Sequence, residues 1–154
     1  MLSAFLDENV EFIIVGAVAM AFHGYVRATG DIDFWIRISD ENAKKVWLAL
    51  KEFGAPLFDF KESDLLVSGT VFQIGIPPNR IDIINQIDGV EFDSAWPNRK
   101  IAEFDNLRIP TIGKTDLLNN KRTSDRPKDR IDVLWIEKHP EVDSDFFSRE
   151  HEPQ

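Results

Sequence analysis

Short hydrophobic runs separated by polar turns predict a mixed order of strands and helices along the chain. The β-branched residues of 11–15 indicate a buried strand, and the small apolar residues of 16–24 favour a tightly packed helix that ends at a glycine. Residues 31–38 alternate between polar and apolar side chains, which is the period of a half-buried strand. A helix is predicted over 40–53, where apolar residues recur at helical spacing and Gly54 ends the run.

The second half of the chain continues this mixture. Two strands are predicted at 71–76 and 80–85, and the prolines between them belong in a hairpin turn because proline lacks the N–H that a strand interior uses. The remaining elements are a strand pair and two helices, predicted at residues 100–104, 107–109, 111–123 and 127–138. Together they predict an α/β (α+β) fold, a mixed sheet of about five strands with helices packed on it.

The composition is that of one compact domain. The 154 residues are 43% hydrophobic and 29% charged, enough to build a single core. We expect one domain over residues 1–138 and a polar C-terminal tail over 139–154. The lack of cysteine excludes a disulfide framework, a thiolate zinc site and a cysteine nucleophile. The longest apolar stretch, residues 12–22, is about half the length of a membrane helix, so we expect a soluble, cytoplasmic protein without a membrane partner.

Charge is distributed unevenly along the chain. The net charge of -9 argues against broad, sequence-independent binding to nucleic acid, which depends on many lysines and arginines facing phosphates. Residues 108–130 nevertheless hold seven basic and three acidic residues. This local excess is either a solvated helix face or a docking surface for a polyanion.

Two of the aspartates form the most informative pattern. Asp31 and Asp33 are two residues apart in a predicted strand, so their side chains leave the same face, with Cα atoms roughly 6.6 Å apart. Like charges so placed repel unless a cation or solvent screens them, and strands otherwise disfavour aspartate. The pair can therefore reach one metal ion. In the alternative interpretation, Asp31 only caps the strand and Asp33 points to water.

The order of these features resembles the nucleotidyltransferase superfamily, with its polymerase-β-like fold. The matching features are Gly16 at a helix start, the Asp31–Ile32–Asp33 strand and a later isolated Asp82. The resemblance covers roughly residues 11–136. Within the superfamily, a second set of residues resembles the compact bacterial branch that includes abortive-infection-type toxins. That set is Leu117, Leu118, Lys121, Arg126, Lys128, Asp129 and Asp132.

The resemblance implies an Mg²⁺-dependent enzyme that moves a nucleoside monophosphate from an NTP to a hydroxyl. Two Mg²⁺ ions would be bound with the NTP, since hard oxygen ligands suit this ion. Asp31 and Asp33 would bridge the ions. Asp82 would complete one metal site and assist deprotonation of the attacking hydroxyl, as ligand or as general base.

The resemblance also implies a set of nucleotide-binding residues: Gly16, Ala17, Arg27, Thr29, Lys121, Arg126 and Lys128. Ala17 departs from the family pattern, where glycine or serine is usual, so a hydroxyl contact to phosphate is lost. Three alternatives stay open. In these alternatives Arg27 pairs with a carboxylate, Thr29 only bonds the backbone, and Asp129 and Asp132 form a salt bridge or interact with the helix dipole in the first turn.

The acceptor is expected to be a tRNA end, a protein hydroxyl or a small molecule. If it is RNA, we expect its phosphates to meet Arg122, Arg126 and Arg130 in the basic segment. The toxin branch further implies an antitoxin protein as partner. The alternative function is a non-catalytic nucleotide-binding or protein-interaction module that retains the fold. A metal-dependent nuclease is a third, less favoured interpretation.

Overall fold

The computed structural model describes residues 1–140, which form a mixed sheet with helices packed on it. The α-helices of the described residues are Leu2–Asp7 (α1), Gly16–Phe22 (α2), Asp40–Phe53 (α3), Phe92–Ala95 (α4), Lys114–Ser124 (α5) and Pro127–Lys138 (α6). Their strands are Phe12–Val15 (β1), Asp31–Ile36 (β2), Val71–Ile74 (β3), Arg80–Ile84 (β4), Lys100–Phe104 (β5) and Leu107–Thr111 (β6). Two short 3₁₀ helices cover Glu62–Leu66 and Trp96–Asn98.

The sheet has the strand order β3-β4-β2-β1-β6-β5. The pairs β2/β4 and β1/β6 are parallel, and the other three pairs are antiparallel. The predicted α/β class, with a mixed sheet and packed helices, is confirmed. The sheet has six strands instead of about five, because the β5–β6 hairpin joins it along β1.

The core covers both faces of the central strands. All four residues of β1 are buried, so both of its faces are covered. Phe5 of α1 contacts Phe12 of β1 and Phe34 of β2, with ring centroids 5.3 and 5.0 Å apart. Phe34 therefore belongs to the core on one face of β2. The opposite face carries Asp31 and Asp33 at the start of the strand and the buried Trp35 after them.

Most predicted element boundaries hold within a few residues. Ser39 caps α3, its hydroxyl accepting a hydrogen bond from the Asn42 N–H at 3.1 Å, and Gly54 ends the helix at φ +82°. The helix predicted over 111–123 begins only at Lys114, because Thr111 belongs to β6 and is paired with β1.

Two further observations concern the ends of the chain and its setting. The predicted C-terminal tail, 139–154, lies outside the described residues from position 141 onward. Among residues 1–140, no helix combines the length and the apolar content that crossing a bilayer requires.

Candidate functional site

Three aspartates meet where β2 and β4 run side by side. In this parallel pair Asp33 lies directly opposite Asp82, and Asp31 lies opposite Arg80. Carboxylate oxygens of Asp31, Asp33 and Asp82 all lie within 4.8 Å of one another. We call these three residues the carboxylate triad. The alternation of β2 explains its placement, since the other face of the strand is occupied by core packing.

Arg80 bridges Asp31 and Asp82. Its Nε donates to Asp82 Oδ1 at 2.9 Å, and its Nη2 donates to Asp31 Oδ2 at 2.8 Å and to Asp82 Oδ2 at 3.1 Å. The guanidinium therefore bonds to two of the three carboxylates at once and offsets part of their repulsion.

Asp33 is the member of the triad that Arg80 does not contact through a hydrogen bond. Burial and, after it, the charges of Asp31 and Asp82 raise the pKa of its carboxyl to about 7. A hydrogen bond shared with Asp82 also raises this pKa, and the Lys121 ammonium opposes the shift. Near neutral pH the ion-free triad thus retains a proton for part of the time.

Gly16 gives Asp33 the space it occupies. The glycine has φ +72°, and a Cβ added to it would lie 2.1 Å from Asp33 Oδ2. Both the left-handed backbone and the close approach require glycine at this position. The start of α2 at Gly16 therefore leaves the space that the Asp33 carboxylate of β2 occupies.

The donor set of the triad fits a hard divalent cation. It offers only carboxylate oxygens, which Mg²⁺ prefers, and these oxygens are close enough to share one ion. The fit of Gly16 against Asp33 keeps one of those oxygens in place. Asp31, Asp33 and Asp82 would be the residues that hold the metal.

A cleft of about 660 Å³ opens beside the triad. Two of its lining residues are carboxylates of the triad, Asp31 and Asp33, whereas Asp82 is more deeply buried and does not line it. All seven residues predicted to bind nucleotide line this cleft: Gly16, Ala17, Arg27, Thr29, Lys121, Arg126 and Lys128. The structure thus brings the predicted residues between Gly16 and Thr29 together with those between Lys121 and Lys128.

The cationic wall of the cleft is held by two buried aspartates of α6. Asp132 is fully buried and accepts hydrogen bonds from Arg27 at 2.8 and 3.0 Å. Lys121 Nζ lies 3.0 Å from Asp132 and 3.3 Å from Asp129, and Lys121 is itself only 6% exposed. Breaking such a buried pair typically costs about 3–5 kcal/mol, so these aspartates fix the positions of the cations.

Asp129 is kept ionised by its hydrogen bonds. Burial alone would raise the pKa of its carboxyl, but bonds from the Ser124 hydroxyl and from the side chain and backbone N–H of Arg126 lower it to about 2. The Lys121 ammonium contributes in the same direction. A negative charge is therefore present beside Lys121 across the physiological pH range.

The remaining predicted cations differ in their exposure and in their ion-pair partners. The Arg126 side chain is 76% exposed although it pairs with Asp129. Lys128 is exposed on the cleft wall. Arg122 and Arg130 lie outside the cleft lining and pair with Glu137 and Asp125 respectively.

Several local contacts answer the alternatives raised by the sequence. Arg27 does pair with a carboxylate, that of Asp132, while still lining the cleft. The Thr29 hydroxyl donates to the Asp31 carbonyl oxygen at 3.0 Å, so it holds the start of β2. Asp129 and Asp132 do form salt bridges, and all of their partners, Arg27, Lys121 and Arg126, line the cleft.

Sequence reasoning missed the role of Arg80. The alternation of β4 already places Arg80 on the same face as Asp82, which was an available signal. Its second partner, Asp31, becomes visible only when the register of β2 against β4 is known.

Comparison with known proteins supports the fold assignment. The structure is similar to a crystal structure described as a "putative nucleotidyltransferase" from Thermotoga maritima, with a TM-score of 0.55 and 16% sequence identity. The match covers 89% of this chain and 88% of that one. No protein-family model matches the sequence, and no curated protein matches it significantly. The likeness, at this identity, shows the fold, which is nucleotidyltransferase-like.

The raised pKa of Asp33 predicts how the stability of the ion-free protein depends on pH. Between about pH 4 and pH 7 the folded protein holds a proton on Asp33 that the unfolded chain has released. Stability should therefore fall as pH rises through this window, by up to about 1.4 kcal/mol per pH unit.

Urea denaturation in chelator at several pH values from 5 to 8 measures this slope. Asp33→Asn should remove most of it and should be as stable as the natural chain, or more so, at pH 8, because it relieves like-charge repulsion. If the free energy of unfolding changed with pH in the same way in both proteins, the pKa of Asp33 would not be raised, and the prediction would be wrong.

The fit between Gly16 and Asp33 yields a prediction with a matched control. Gly16→Ala and Gly54→Ala both place alanine at positive φ, which costs roughly 1–2 kcal/mol. Only Gly16→Ala also meets a carboxylate, since a Cβ at Gly54 has no atom within 4 Å. Both variants should melt earlier, but only Gly16→Ala should bind Mn²⁺ at least about tenfold more weakly in a calorimetric titration. Equal Mn²⁺ affinities would contradict this account.

Proposed function

We propose that this protein is an Mg²⁺-dependent nucleotidyltransferase that moves a nucleoside monophosphate from an NTP to a hydroxyl acceptor. The observation that carries the proposal is the carboxylate triad beside a cleft whose opposite wall is cationic. A triphosphate needs both features, a metal near its α-phosphorus and cations along its outer phosphates. The nucleotidyltransferase-like fold supports the same conclusion at a coarser level.

The proposed reaction is a single displacement at phosphorus. The acceptor hydroxyl oxygen forms a bond to the α-phosphorus while the bond to the oxygen bridging to the β-phosphorus breaks, and pyrophosphate leaves. Asp82 assists removal of the hydroxyl proton, as metal ligand or as the general base that accepts it, and Asp31 and Asp33 would hold the metal. Bound at the triad, Mg²⁺ would polarise the α-phosphoryl oxygens and neutralise charge on the departing pyrophosphate.

Binding of the triphosphate is assigned to the cationic wall. Lys128 and Arg126 are the exposed cations there, so they can turn toward phosphate oxygens. Lys121 and Arg27 are fixed by Asp132, which makes them preorganised contacts. Ala17 offers no hydroxyl, and side-chain cations therefore contribute more of the phosphate binding than in the family pattern.

We place the protein, as part of this proposal, near the compact bacterial branch that includes abortive-infection-type toxins. The residues that support this are the lysine of α5 and the Arg126–Asp132 segment, which the structure joins into one network. The proposed acceptor is a tRNA end, a protein hydroxyl or a small molecule, and an antitoxin protein is the proposed regulatory partner in the cytoplasm.

A second candidate function is a non-catalytic nucleotide-binding module. Ala17 favours it, because a residue that departs from the phosphate-binding pattern is expected where turnover has been lost. The two candidates differ in their need for metal. Triphosphate binding by the enzyme requires Mg²⁺ at the triad, whereas binding by a module does not.

The decisive test combines calorimetry with labelling. NTPs should bind in the presence of Mg²⁺ and only weakly in chelator, and label from the NTP should pass to one fraction of a cell lysate. Asp33→Asn should lower the labelling rate by roughly 10³-fold or more, because a catalytic metal supplies several kcal/mol.

The matched control is Asp88→Asn, which makes the same chemical change at an exposed turn. It should leave labelling unchanged. NTP binding that ignores Mg²⁺, with no labelled fraction, would favour the module and contradict the enzyme.

The acceptor proposal predicts a small electrostatic contact with RNA. Arg122 and Arg130 lie outside the cleft, so the double change to alanine should weaken RNA labelling while leaving NTP affinity nearly intact. The slope of log affinity for RNA against log salt should be only about -2, the value for two or three phosphates.

Lys44→Ala with Lys51→Ala removes the same charge from exposed positions of α3 and serves as control. An equal loss in both double variants would indicate a general charge effect. If the Arg122 and Arg130 changes reduce NTP affinity as far as labelling, a protein or small-molecule acceptor becomes the better assignment.

A further inference from the structure

The Arg80 guanidinium lies against two carboxylates of the triad. Its guanidinium donates three hydrogen bonds to Asp31 and Asp82, all between 2.8 and 3.1 Å. Both oxygens of Asp82 and one oxygen of Asp31 are engaged by these bonds. Asp82 is 6% exposed, so it has little access to solvent as an alternative partner.

These bonds compete directly with metal coordination. A divalent ion shared by the triad needs a carboxylate oxygen from each residue, and Arg80 now bonds to both oxygens of Asp82 and to one of Asp31. A guanidinium and a divalent cation also repel strongly at such short separations, because part of the site is shielded from water. Simultaneous occupation in the present geometry is therefore unfavourable.

The position of Arg80 allows it to leave without unfolding the strand. Its backbone is fixed in β4 and its N–H donates to the Gly30 carbonyl oxygen at 3.2 Å, whereas its side chain is 28% exposed. The long side chain can rotate away into solvent while Asp82 stays in register with Asp33.

We infer that Arg80 is an internal counter-cation that holds the ion-free triad together and must be displaced before the metal binds. The inference rests on the proposed metal-dependent function and adds a residue that sets metal affinity. Arg80 weakens binding of a free divalent ion and keeps the three carboxylates from separating in its absence. It acts on the metal site through Asp31 and Asp82 and is a positioning residue.

Two measurements on the full chain test this inference. Arg80→Met keeps much of the aliphatic side chain and removes the charge, so Mn²⁺ titrated without nucleotide should bind at least about tenfold more tightly than to the natural protein. Arg80→Lys keeps the charge but loses the two-carboxylate bridge, so its Mn²⁺ affinity should lie between the two. In chelator, Arg80→Met should melt earlier, and Mn²⁺ should stabilise it more than it stabilises the natural chain.

The control is Arg108→Met, which makes the same change at an exposed position of β6. Its Mn²⁺ affinity should equal that of the natural protein. A second readout uses the natural protein alone. The Arg80 Nε–H signal in a nitrogen-proton spectrum, assigned by its loss in Arg80→Met, should exchange with solvent faster once Mg²⁺ saturates the site.

The possible results distinguish failure of this inference from failure of the proposed metal-dependent function. Mn²⁺ binding that is unchanged or weaker in Arg80→Met, or an Nε–H exchange rate that Mg²⁺ does not alter, would show that Arg80 stays on the carboxylates and overturn the inference alone. Absence of Mn²⁺ binding in both the natural protein and Arg80→Met would overturn the inference and the metal-dependent function together.

Discussion

Repulsion among three carboxylates, with oxygens within 4.8 Å of one another, is the constraint on which the rest of the site depends. Three separate features offset it in the ion-free protein. Arg80 bridges two of the carboxylates, Asp33 with its raised pKa of about 7 holds a proton for part of the time near neutral pH, and Lys121 supplies a further positive charge. The Arg80 bridge and the Asp33 proton can both give way to a divalent cation, whereas Lys121 is held in place by Asp129 and Asp132.

A second charge cluster across the cleft has the opposite arrangement. There the carboxylates of Asp129 and Asp132 are buried, and the cations that they bind line the cleft. The sheet therefore presents carboxylates to the cleft and the α5–α6 pair presents cations. This separation of charge matches a triphosphate with its metal, which is cationic at one end and anionic at the other.

The sequence predicted those parts of the fold and site that depend on local periodicity. The alternation in β2 was sufficient to put Asp31 and Asp33 on one face, and Gly54 marked the end of α3. The parallel pairing of β2 with β4 joins residues 49 positions apart, as in Arg80 with Asp31, and no local pattern encodes it.

The most direct test of the account is anomalous diffraction from crystals grown with Mn²⁺ and a non-hydrolysable NTP analogue. We expect Mn²⁺ peaks at Asp31, Asp33 and Asp82, the phosphates against the cleft wall that carries Lys128, and Arg80 turned away from the triad. Analogue bound in the cleft with no Mn²⁺ at the triad, and Arg80 still bridging Asp31 and Asp82, would contradict it.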